Sequence, residues 1–115
     1  METKISLSKL AAMLYGEEEL KQSGLTEAGI IEKIGETYKN TSDPAEKKEA
    51  ERILVGLLED KRITNKTEIL FYLMVCEPIE GHKQIIKDYL RRHNKIAQTI
   101  QDLIIERDEL PWLTR

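Results

Sequence analysis

His82 and His93 are the side chains here best suited to acid–base or metal chemistry near neutral pH. On one continuous helix, eleven residues would put them on a shared face about 16 Å apart along the axis. No single metal ion bridges that gap. Neither histidine has a cysteine or second histidine three or four residues away, so zinc has no support. No metal or cofactor is expected. What remains is a pH-sensitive pair: burial in an apolar interface favours neutral imidazole, and protonation would open the interface. The plainer reading is two hydrogen-bonded histidines at a helix margin.

The other reactive types offer less. Cys76 lies in an apolar run, where burial raises a thiol pKa and makes it inert. A single cysteine forms no internal disulfide, so a reducing, cytoplasmic setting is expected. Glu17, Glu18 and Glu19 are adjacent, and adjacent helical residues point in different directions, so they read as a solvated run. There is no glycine-rich phosphate loop and no nucleophile elbow. No catalytic residue is expected. A small helical enzyme would need a pocket of converging polar groups beside His82 or His93.

Lys83, Lys87, Arg91 and Lys95 recur every four residues, with Arg92 beside them. Like charges at that spacing repel, so the stripe is either a plain solvated face, the blander reading, or it meets something acidic: Glu17–Glu19 of this chain, a protein partner, or phosphates. Nucleic acid is the weaker reading. The chain carries a net charge of −3, and no aromatic residue is interleaved for base stacking. Ala12 and Gly16 have a helix-turn-helix spacing, but the glutamates that follow would meet phosphates in a DNA groove.

The elements that position these residues are all helical. The chain of 115 residues suits one helical domain, 1–115, with no need of disulfide or metal. No segment approaches the apolar run that a membrane span needs, and residues 1–4 hold no apolar signal core, so a soluble protein with no membrane partner is expected. The fold class is all-α, a compact bundle of about five helices. The first helix starts at Ser6 or Ser8 and ends at Gly24, and Thr26 caps the second, giving an N-terminal helical hairpin. Gly29 and Gly35 weaken helix two unless another helix approaches closely there. Asp43 and Pro44 open helix three, which Asp60, Lys61 and Arg62 close. Asn65 and Glu68 open a central helix over 65–77 that is apolar all round.

The last element dominates the architecture. From Ile79 to Ile104 the apolar residues hold one helical phase within about 140°; Ile105 alone falls outside it. A helix over 79–109 would be about 46 Å long, whereas a domain of this size is about 35 Å across. Such a helix must overshoot, find a partner, or break, and Asn94 is the natural breaking point. Pro111 stops it, leaving Trp112 on a tail that either docks on the bundle or anchors another protein.

The leading functional expectation is a non-enzymatic protein–protein interaction module, of adaptor, inhibitor, immunity or regulatory type, working through the C-terminal helix. Its partner would be another protein or a second copy of the chain. Ile96, Ile100, Leu103 and Ile104 would supply apolar contact, Lys87, Arg91, Arg92 and Lys95 the charged rim, and Trp112 an anchor. The alternative is an anion or nucleic-acid binder using the basic stripe.

Overall fold

Short polar side chains start the helices where the sequence places them. The computed structural model describes residues 6–109 and 111–112, the side chains of Glu17, Glu19 and Ser23 excepted. These residues form seven helices: α1 (Leu7–Met13), α2 (Glu17–Ser23), α3 (Glu27–Asn40), α4 (Pro44–Glu59), α5 (Lys66–Val75), α6 (Glu80–Arg92) and α7 (Asn94–Glu106). Ser6 Oγ accepts from the Lys9 amide, Thr26 Oγ1 from Gly29 and Asp43 Oδ1 from Ala45, with Pro44 in the first turn of α4. Each satisfies an amide that the helix itself leaves unpaired. Gly24 ends α2 at φ 74°, a left-handed position that glycine adopts without strain.

Two expected helices are divided. The first breaks over Leu14–Gly16, where the amides of Leu14, Tyr15 and Gly16 bond three residues back and tighten the last turn of α1. Tyr15 is held at this bend under the Arg62 guanidinium, 4.4 Å from the ring centre. The N-terminal hairpin thus has two short helices in its first arm. The long C-terminal helix breaks at His93, with φ −132° and ψ 68°. Its ring stacks on Tyr89 at 4.2 Å between centroids. Asn94 begins α7 rather than capping it.

The break at His93 lets α7 turn back onto α5 and α6, so that the apolar phase shared by the two segments faces inward. Central α5 packs against α3, α4 and α7, and Ile69 through Met74 are all buried. Gly35 on α3 is where α5 comes nearest: a Cβ there would lie 2.1 Å from Cδ2 of Tyr72. The Tyr72 hydroxyl donates to Glu36 Oε1 at 2.8 Å, and burial followed by this carboxylate raises its pKa. The extents are 40 × 29 × 27 Å, shorter than an unbroken final helix would require.

The ends of these helices are closed by distant side chains. Asn65 makes no side-chain cap for α5. Instead Glu27 Oε1, from the start of α3, accepts from the Thr64 amide and hydroxyl and from the Asn65 amide and side chain. At the end of α4, Lys66 rather than Lys61 caps the carbonyls of Leu57 and Asp60. Arg62 forks onto the Asp60 carboxylate, which it holds below the usual range.

Two expected outcomes follow from this packing. Gly35→Ala should destabilise the fold by about 1–3 kcal/mol, because the Tyr72 ring cannot yield. Gly56→Ala, with open space at its Cβ, should stabilise it by up to about 1 kcal/mol; urea midpoints distinguish the two. Partial burial pushes the Glu27 pKa up, but the hydrogen bonds from Asn65 and Thr64 together outweigh it and hold the pKa below the ordinary 4.5. The stabilisation is therefore complete above pH 4.5 and is lost as pH falls through the folded value. Glu27→Gln should be less stable than wild type at pH 7, with the gap narrowing below pH 4.5. A gap that stays constant down to pH 3 would contradict this account.

Candidate functional site

The outer side of α7 forms one wall of an open apolar groove of 490 Å³. Asn94, Ala97, Gln98, Ile100, Gln101, Ile104 and Ile105 line it from α7, together with Met74, Leu90, Glu109 and Pro111. At 100° per residue, Asn94, Gln98, Gln101 and Ile105 fall within about 60° of one another, so they make a single strip along the helix. Ile105 is 73% exposed, the highest value among the large apolar residues described as exposed. A branched aliphatic side chain in that position adds apolar area beside neutral amides and the Glu109 carboxylate, which Lys39 pairs.

Of the apolar residues expected to meet a partner, Ile100 and Ile104 border the groove, but little of their surface is open. Ile100 is 2% exposed and belongs to the core with Ile104, while Ile96 and Leu103 are partly buried against it. They cover α5 because the break at His93 folds α7 back. Trp112 is also a core residue: its indole Nε1–H donates to the Leu73 carbonyl at 2.7 Å. That carbonyl lies in the last turn of α5, where the helix supplies no donor, so the tail is an intramolecular cap rather than a free anchor.

The basic stripe is likewise divided. Lys83 pairs with Glu77 and Glu80 and, together with Lys87, sits over the Trp112 ring. Arg91 pairs with Asp88, whose backbone carbonyl accepts from Arg92. The acids facing these cations come from α6 and the residues just before it. The side chains of Glu17 and Glu19, offered as the opposing acid, lie outside the described residues. Lys95 lies beyond the break, exposed on α7. The residues around Arg92 and His93 also border a 360 Å³ cleft with Lys61, Lys66, Glu59 and Asp60. That cleft sits at the C-terminal ends of α4 and α6, where helix dipoles are negative, and its Lys66 ammonium is already taken by carbonyls.

The two histidines have separate surroundings. His93 is exposed at the break, whereas His82 is partly buried and donates from Nδ1 to Glu51 Oε2 at 2.6 Å. Glu51 is 5% exposed and also accepts from the Tyr38 hydroxyl at 2.8 Å and the Ile79 amide at 3.3 Å. Burial, then the carboxylate, raises the Tyr38 pKa. This cluster ties α3, α4 and the start of α6 together. No group of three or more His, Cys, Asp or Glu side chains among the described residues could hold a metal ion.

Sequence reasoning missed both Glu51 and the groove. Glu51 precedes Leu54 by three residues and Leu58 by seven, so a carboxylate on the buried stripe of α4 was the available signal. For the groove it was Ile105, the residue out of phase with the arc. Comparison of the chain with protein-family models, curated proteins and solved structures gives no significant match.

Trp112→Phe preserves most of the apolar contact but removes the donor to Leu73. It should cost about 1–3 kcal/mol in urea unfolding, since a buried carbonyl then lacks its partner. An unchanged midpoint would mean that the cap contributes nothing.

Proposed function

We propose that this protein is a non-enzymatic protein-interaction module that receives apolar side chains of a partner in the groove along α7. The observation carrying the reading is the groove itself, with an exposed isoleucine among neutral amides and one carboxylate, Glu109, paired with Lys39. Apolar surface with a polar border is the usual composition of a docking site. The proposed contact surface joins the outer flank of α7 to Ile100 and Ile104 of the expected arc, which also line the groove. Arg91, Arg92 and Lys95 are exposed but do not line the groove, so no charged rim is placed on them.

The anion-binding reading loses support because its cations are dispersed. Lys83 and Lys87 serve Trp112, and the break at His93 separates Lys95 from the line of the others. The Glu51–His82 pair serves the bundle, with Tyr38 and the Ile79 amide also donating to the carboxylate. A cytoplasmic setting belongs to the same proposal: Cys76 is a buried free thiol, and no described helix is long and apolar enough to cross a membrane.

Ala97 offers a direct test. It lines the groove, so Ala97→Trp fills the space without removing a core side chain. Immobilised wild-type protein should enrich apolar peptides from a displayed random library, and the filled variant should lose that enrichment. Equal enrichment by both proteins would reject the groove as the docking site.

A further inference from the structure

Resting on that interaction reading, we infer that the groove's occupant is a second copy of this chain, bound with its α7 antiparallel. The argument comes from where α7 places its charges. Lys95, Asp102 and Glu106 are exposed and lie within about 40° of one another around the helix axis. They form a flank beside the strip of Asn94, Gln98, Gln101 and Ile105. Along that flank the cation is at the N-terminal end and the two carboxylates toward the C-terminal end. The other cation near the C-terminal end, Arg107, is directed inward: it pairs with Glu68 and sits over the Phe71 ring.

An antiparallel helix pair related by a twofold axis brings the same flank of each copy together; a parallel pair brings opposite flanks together. With the axis midway between Gln98 and Gln101, residues whose numbers sum to 199 face each other. Lys95 of each copy then lies within about 3 Å, measured along the axis, of Asp102 and Glu106 in its partner. The same register puts Ile105 level with the partner's Asn94, one turn from Ala97, where the groove wall is a single methyl group. One symmetric arrangement therefore matches charge and fills the groove at both ends, as a self-complementary interface must.

The contact is modest. Thirteen residues of helix span about 20 Å, which falls short of the standard area of a tight complex. The association is therefore weak and dependent on concentration.

Sedimentation equilibrium of the full chain over a concentration series tests it. The mass should rise from 13.3 kDa toward twice that value, and high salt should lower the dimer fraction. Ile105→Lys, at an exposed position, should remain monomeric with unchanged helical content. Lys95→Glu should weaken dimerisation by about tenfold, and the triple exchange Lys95→Glu/Asp102→Lys/Glu106→Lys should restore it. Failure of the exchange to restore association would reject the antiparallel register. A strict monomer at millimolar concentration would reject the second copy altogether. If that monomer still selected apolar peptides, the interaction module would stand with a different occupant; if it selected none, both proposals would fall.

Discussion

The whole arrangement depends on burying a helix that is apolar on every side. Ile69 through Met74 leave α5 with no face to turn toward water. Burying the side chains is favourable, but it takes the ends of the helix out of water as well. An α-helix leaves its first amides and last carbonyls without internal partners, and a buried orphan is costly. Local sequence provides little here, since the Asn65 side chain makes no cap. The donors and acceptors arrive from distant parts of the chain. Glu27 closes the start of α5 and Trp112 its end. The first residue of α3 and the segment after α7 are thereby tied to α5, and among the described residues no buried side-chain polar atom is left unpaired.

The same constraint organises the polar groups that looked available for chemistry. A small bundle with a wholly apolar central helix needs polar ties between its outer layers. Glu51 supplies one, joining Tyr38 on α3 to His82 and the first residues of α6. Lys66 supplies another, closing α4 through two carbonyls. Lys83 and Lys87 shield the open face of Trp112, and a cation over an indole ring is favourable even near solvent. Each of these groups has a physical use within the fold.

The sequence made some of this legible. The caps at Ser6, Thr26 and Asp43, the stop at Gly24 and the central position of α5 follow from short-range patterns, and the structure has them all. Gly35 marked a close approach of helices before Tyr72 was identified as the neighbour. The break at Gly16 was hidden because an amphipathic phase runs across it. The caps of α5 were hidden because Glu27 and Trp112 are 37 or more residues from the groups they satisfy. Of the groove, α7 with Ile100 and Ile104 was legible, whereas the burial of those two residues and the exposure of Ile105 were not. Periodicity locates apolar residues that share a direction, and it cannot say whether the core or a partner lies that way.

Geometry decides that question. A continuous helix would have needed more length than the long dimension of the bundle supplies, and its far half would have hung in water with Ile100 and Ile104 uncovered. The turn at His93 removes that exposure by laying α7 on α5. In doing so it reverses the roles of the two sides of the helix. The large aliphatics in phase become core, and the residues that broke the phase become surface. Ile105 is the consequence: an aliphatic side chain left outside by the move that buried its neighbours, at the rim of a groove that the same move created. The reversed copy proposed for the groove would bury it, with the exposed charges of α7 meeting their counterparts on that copy.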